Sequence, residues 1–259
     1  RSLLAHSRAL QTVGHNLSNA NADGYSRQRV ELQAVDALYR PQLNRAETAG
    51  QIGQGVEPAR IERVSDGLLE RRIVTTAGDE SYWRTRDRYS LMLEQVYNEP
   101  ADTSVRTLMD RFWDGWQELS LYPDQMAPRQ AVIQRGQALV DGIQARYQNL
   151  EQIRTMLEDE IHVTVNQVND FVREIASLNE EIVNSKAAGD SPNDLMDRRD
   201  LLVERLGEIV DITIDDRDAD EYSVHTGGYH LVQGRIGRTF DIQPNRENEG
   251  FSRVSWSHN

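Results

Sequence analysis

Cysteine is absent from the 259-residue chain, which removes disulfide frameworks, thiol nucleophiles and thiolate metal sites together. Lysine is nearly absent: of 29 basic residues only Lys186 is one, and no GxxxxGK(S/T) pattern exists to hold a phosphate-binding lysine. Long apolar runs are missing as well. Mean hydropathy is −0.67, and no stretch approaches the roughly 18 to 20 apolar residues that a membrane-spanning helix needs, so no membrane partner is expected. Positive charge is in short supply, with 29 Lys+Arg against 42 Asp+Glu and a net charge of −13. Such a surface repels phosphate backbones, and no local basic patch overrides it, so no nucleic-acid partner is expected either. Long-period repeats and low-complexity tracts are lacking. The chain opens on Arg1 rather than Met and closes just after a strand-like run, Phe251 to Ser257, so both ends read as cut from something longer, and no leader pattern is visible.

What is present is mostly helical patterning. Leu3, Leu10 and Leu17 are spaced by seven, with Val13 and Ala20 three after the last two, which is an a/d seam with His6 as its one polar d position. A single helix of this length is marginal in water, so alone it is expected to fray, and its seam to need a partner helix. Asn16 to Gln28 then supplies helix-ending and turn chemistry, with Gly24 free to take a positive φ. Residues 29–64 read as irregular or strand-like, broken by Pro41, Gly50, Gly53, Gly55 and Pro58. Asp66 caps a helix predicted to reach about Asn98, stopped by Glu99-Pro100-Ala101-Asp102. A further helix from Thr103 places Val105, Leu108, Phe112, Trp116 and Leu119 on one face, until Pro123 ends it.

From Pro128 to Ala188 there is no further proline. With Ile133 as position a, the a sites are Ile133, Val140, Tyr147, Arg154, Ile161, Val168, Ile175 and Ile182, and the large apolar d sites are Ile143, Leu150, Leu157, Phe171 and Leu178. That pattern predicts one long, laterally packed helix within a bundle over 66–188, with Ile143, Leu150, Leu157, Phe171 and Leu178 buried along its seam. Ser191 as N-cap, Pro192 at the first helical position and Asp194 three after the cap start the next helix. After Gly207 the period changes from helical to two. Ile212 and Ile214, then Tyr222, Val224 and Thr226, alternate up to Gly227-Gly228, and Leu231-Val232 resumes beyond. This predicts a β-hairpin opening a β-rich second domain near Asp211.

No constellation carries catalysis. His225 and His230 flank the Gly-Gly turn and are set to face each other, but two imidazoles without a third ligand read as hairpin surface residues. Gly53-Gln-Gly55 lacks the third glycine of a dinucleotide turn. Asp215 to Glu221 has neither the glycine nor the distant glutamate of a calcium loop and reads as a solvated acidic turn. There is no GxSxG and no HExxH. No enzyme, cofactor or metal is expected.

The run Asn16 to Gln28 resembles the N-terminal signature of bacterial flagellar rod, hook and hook-associated proteins, N-x-x-N-A-N-x-x-G-Y-S-R-Q. The matching positions are Asn16, Asn19, Ala20, Asn21, Gly24, Tyr25, Ser26, Arg27 and Gln28, with Asp23 where the family often has proline. Ile52-Gly-Gln-Gly-Val56, Ile61-Glu-Arg63 and Asp66-Gly-Leu-Leu69 resemble a second segment of the same superfamily. Asn193-Asp-Leu-Met-Asp-Arg-Arg-Asp-Leu-Leu202 is similar to an N-D-L-L-D-Q-R-D-x-L motif of the hook-associated family that stands at the hook–filament junction. Phe112 to Leu119 and Asp124 to Arg129 resemble its helical domain.

The resemblance implies a structural, non-enzymatic subunit of the extracellular flagellum. It would be exported by the flagellar type III apparatus, assembled with copies of itself as a ring, and placed beside the hook protein and a second junction protein. A chaperone would be engaged through C-terminal sequence beyond this chain. Leu3, Leu10, Val13, Leu17, Asn19, Asn21, Gly24, Tyr25 and Arg27 are then the expected assembly segment, and Asn193, Asp194, Leu195, Asp197, Arg199, Asp200 and Leu202 the family motif. The expected fold is mainly α with a β-rich second domain (α+β overall). It is divided into an N-terminal helix and loop (1–28), an elongated helical bundle with an irregular start (29–209) and the beginning of a β domain (210–259). A secreted coiled-coil scaffold or adhesin would explain the long helix but not the two motifs; rod and hook proteins fit the helical middle less well, and flagellin has long helices but lacks the Asn16–Gln28 loop.

Overall fold

A computed structural model describes residues 1–36, 54–97, 102–216 and 222–257. The expected stop at Glu99-Pro100-Ala101, residues Ile52 and Gly53, most of the acidic run after Asp216, and His258 lie outside them. Five helices and eight strands follow in order: α1 (Ser2–Ser18), β1 (Gln28–Ala34), β2 (Val56–Arg63), α2 (Gly67–Tyr97), α3 (Val105–Leu121), α4 (Met126–Ala187), α5 (Asn193–Gly207), β3 (Thr213–Asp215), β4 (Ser223–Thr226), β5 (Tyr229–Gln233), β6 (Ile236–Gly237), β7 (Phe240–Pro244) and β8 (Ser252–Trp256). The fold is mainly α with a small β-rich C-terminal part, as the change of period predicts.

The chain forms two compact units that are discontinuous in sequence, whereas the sequence reading divides it into consecutive segments. The first unit gathers residues 1–79, 167–240 and 256–259, and the second gathers 80–166 and 241–255. In the first, α4 from Val168 to Leu178 joins Leu202, Val203 and Leu206 of α5, Val74 of α2, and Tyr222, Val224, Leu231 and Val232 in one buried core. The β3-β4-β5-β6 sheet is therefore part of this core rather than a separate body. β4 and β5 supply Val224, Leu231 and Val232 to it, the consecutive Leu231 and Val232 being buried on both faces of the strand, and the Gly227-Gly228 turn joins the two strands with His225 opposite His230. In the same unit β1 and β2 pair antiparallel, with an irregularity between Glu31 and Leu32. Asp66 caps α2 by accepting from the Leu68 N–H at 2.9 Å.

In the second unit α3 starts from Ser104, one residue later than predicted, because the Ser104 hydroxyl accepts the Thr107 N–H at 3.1 Å. Here the heptad reading needs correction. Leu178, in the first unit, is buried and Phe171 beside it is half-buried, but Leu150 and Leu157 are only half-buried and Ile143 is exposed. The reason is that α3 meets α4 through small residues. A Cβ on Gly142 would lie 2.5 Å from Leu108, and one on Gly136 would lie 3.3 Å from Phe112. The face of α4 turned to α3 thus runs through Val132, Gly136 and Gly142, one position off the large apolar residues, and leaves Ile133, Val140, Ile143 and Tyr147 outward. The β7–β8 ribbon of this unit is tied to α4 by Arg154, which stacks 3.6 Å over Phe251 and pairs with Glu249 at 2.6 Å.

Candidate functional site

The two motifs singled out in the sequence meet in the first unit. α1 turns a narrow face of small or polar residues, with Ala5 and Thr12 buried, toward the fold, and lies beside β1 and β2. Leu3, Leu10, Val13 and Leu17 point away and are 82, 73, 60 and 78 % exposed. The seam predicted for another helix is therefore uncovered in this chain.

At the end of α1 the loop is closed by side-chain amide chemistry. Asn16 Nδ2 donates to the Gln28 carbonyl at 2.9 Å, and its Oδ1 accepts from the Gln28 N–H and the Tyr25 hydroxyl, each at 2.8 Å. With the Tyr25 proton spent on Asn16, His15 Nδ1 at 2.9 Å is the donor to the Tyr25 oxygen. Asn19 reaches back to the His15 carbonyl, Asn21 stays exposed in the turn, and Arg27 is exposed while its carbonyl accepts the Val64 N–H. Gly24 has φ +74°, and a Cβ there would stand 2.8 Å from the Leu201 Cβ, so both the backbone conformation and the space require glycine.

α5 presents one face to this loop. Asn193, Asp194, Asp197 and Asp200 recur at helical spacing on it, while Leu202, Val203 and Leu206 turn into the core and Leu195 packs at its edge. The Ser26 N–H donates to Asp197 Oδ2 at 3.1 Å, and Gln28 Nε2 donates to Asp194 Oδ1 at 2.9 Å. Arg63, at the end of β2, donates to Asp197 Oδ1 at 2.8 Å and to Asp200 Oδ2 at 2.7 Å. Asn193 Nδ2 donates to the Ile61 carbonyl. The cap differs from the expectation: Pro192 rather than Ser191 occupies the N-cap position and, having no polar side chain, makes no capping bond, while Asn193 and Asp194 of the first turn bond to β2 and β1.

Arg199 is almost wholly buried, stacked 3.6 Å over the Tyr222 ring and bonded to Asp200 Oδ1. Burial works against the charge of Arg63, but Asp200 and Asp197 together hold its pKa above the ordinary value. Glu70, in the first turn of α2, is pushed up by burial and then by Asp200 and Asp216, against the pull of Arg63 and Arg199. A cleft of about 220 Å³ lies beside the loop, lined by Gly24, Tyr25, Glu70, Asp200, Leu201 and Tyr222 among others.

The arrangement joins distant segments through hydrogen bonds and ion pairs. Among the described residues no three His, Asp or Glu side chains converge as a metal would require, and His225 and His230 simply lie ring against ring, 4.3 Å between centroids. Sequence reasoning had quoted Asn16, Gln28 and Arg63 within motifs without assigning them a task. The signal for Asn16 was its place in the last turn of an amphipathic helix, on the face opposite the leucines. Leu201 stands inside the second motif and Tyr222 in the alternating run, but neither spacing points to this loop, and His15 carries no signal.

A terminal helix seated on one face and bare on the other leaves an apolar stripe of the kind that packs against a further helix. The comparisons supply the family. Residues 90–259 match the model of the flagellar hook-associated protein FlgK helical domain, and the chain belongs to that family. It is similar to flagellar hook-associated protein 1 of Bacillus subtilis, 35 % identical over 83 % of this chain and 42 % of that protein. The homologous protein of Escherichia coli is 27 % identical over 98 % and 46 % respectively. The fold resembles the flagellar hook junction protein FlgK from Burkholderia pseudomallei, with a TM-score of 0.64 and 23 % identity over 72 % of this chain and 33 % of that one. This chain thus spans under half the length of the relatives it matches.

Proposed function

We propose that this chain is the N-terminal part of a structural subunit at the junction of flagellar hook and filament, exported to the cell exterior and without enzymatic activity. Family membership supports the flagellar assignment. The observation that carries the assembly role is the stripe Leu3, Leu10, Val13 and Leu17, exposed on a helix whose opposite face is seated. Four large apolar side chains in a heptad stripe are the signature of a helix that finishes packing against another helix. In this reading copies of the subunit form a ring, with the hook protein on one side and a second junction protein on the other. Asn19, Asn21, Gly24, Tyr25 and Arg27 shape the loop that sets the angle of α1.

The test is Leu10→Asp. A carboxylate in the middle of a buried seam without a partner is strongly unfavourable, yet in the isolated chain Leu10 is exposed and the change is mild. The variant is expected to melt like the parent and to be exported, but to fail to restore filament attachment and motility in a deletion strain. Normal filaments on Leu10→Asp subunits would remove residues 3–17 from the assembly interface.

A further inference from the structure

We infer that Asp197 is a positioning residue for the N-terminal helix: through the Ser26 N–H it fixes the direction in which α1 holds out its leucine seam before any partner arrives. The inference rests on the assembly reading and adds a claim about the subunit alone. The seated face of α1 offers little apolar surface, its two buried residues being Ala5 and Thr12, so burial alone holds the helix weakly. At its N-terminal end the Ser2 hydroxyl accepts the Val56 N–H at a long 3.4 Å, and the shorter polar ties lie at its C-terminal end. Asp197 has both carboxylate oxygens committed, Oδ2 to the loop backbone at Ser26 and Oδ1 to Arg63 on β2, and its side chain is 8 % exposed. Two residues before Ser26, Gly24 sits flush against Leu201 with no room for a Cβ, so the loop has no freedom to slide along α5. Two residues after it, Gln28 is gripped by Asn16 of α1 itself and by Asp194 of α5. The orientation of α1 is thereby referred to α5, an element whose other side is in the core.

Hydrogen exchange of the purified chain at neutral pH, without partners, tests this. Residues 12–28 are expected to be protected in the parent and to exchange about tenfold faster or more in Asp197→Ala, while peptides from 168–182 and 222–232 keep their protection. Asp197→Asn, which retains an acceptor for the Ser26 N–H, is expected to restore most of the protection. If Asp197→Ala loosens the whole unit, Gly24→Val is the second arm, because it strains the loop and leaves the Arg63 pair untouched; it should loosen 12–28 selectively. Equal exchange of 12–28 in the parent and Asp197→Ala, or full protection in Gly24→Val, overturns the inference. Leu10→Asp should leave exchange unchanged. If Leu10→Asp abolishes filament attachment while Asp197→Ala leaves 12–28 protected, the seam stands and the positioning role falls. Normal filaments with Leu10→Asp would instead overturn the assembly reading, whatever the exchange shows.

Discussion

The two compact units are built from similar apolar sequence and bury it very differently. In the first, Val172, Ile175, Leu206, Val224, Leu231 and Val232 are at or near zero exposure, and charged residues are drawn into the same interior with every oxygen matched. In the second, Val132 and Val165 are buried, while Trp83, Trp113, Ile133 and Tyr147 are each about 60 % exposed or more. Apolar content alone therefore does not say whether a segment closes on itself. A three-layer arrangement of helix, helix and sheet encloses a side chain from several sides. Helices meeting through glycines bring their backbones close and leave the larger side chains at the margins.

The sharpest way to break this contrast is to remove a buried charge partner from the first unit. Arg63→Met strands Asp197 and part of Asp200 in the interior and is expected to cost roughly 3 to 5 kcal/mol, read from denaturant midpoints. Next comes a matched pair of truncations. Ile175→Ala should cost about 2 to 5 kcal/mol, whereas Ile143→Ala, from the same helix and the same heptad reading, should stay within about 0.5 kcal/mol. Equal costs for the two would erase the distinction between the units.

The smallest effect sharpens the comparison through pH. Glu70 in the first unit has a raised pKa, so its contribution favours the folded state at low pH and is lost as pH rises through the raised value. Glu160 in the second unit is held below the ordinary value by hydrogen bonds from Tyr89 and Arg88, so its contribution is present at neutral pH and lost on acidification. Glu70→Gln should therefore raise the melting temperature by about 1 to 2 °C at neutral pH, and Glu160→Gln should lower it slightly. The Glu70 difference should fade once the pH falls below the ordinary carboxylate value of about 4.3, whereas the Glu160 difference should persist there and fade only on further acidification.

Much of the element structure was legible because it rests on local period. The long helix α4, the switch to alternation after Gly207 and the Gly-Gly hairpin all follow from side-chain spacing. The exposure of Ile143 was not legible. A heptad tally scores Gly136 as a poor d match and passes over Gly142, yet these are where α3 comes closest. At the site, both motifs were visible but their meeting was not. Ser26 and Asp197 lie 171 positions apart, and nothing local in either segment names the other. The bonds of Asn193 and Asp194 at the start of α5 were hidden in the same way, since their partners, Ile61 and Gln28, lie more than 130 positions away.

Asn16 has one more consequence. Its amide offers Gln28 a donor and an acceptor side by side, as a neighbouring strand would, and so ties two points twelve residues apart into a ring. Fixing the ends of a loop of that length limits the conformations open to it much as a covalent staple does. In a chain with no cysteine, a ring closed by hydrogen bonds opens and closes again without any covalent bond being made or broken. It needs neither an oxidant nor an isomerase, and it is indifferent to the redox state on either side of a membrane.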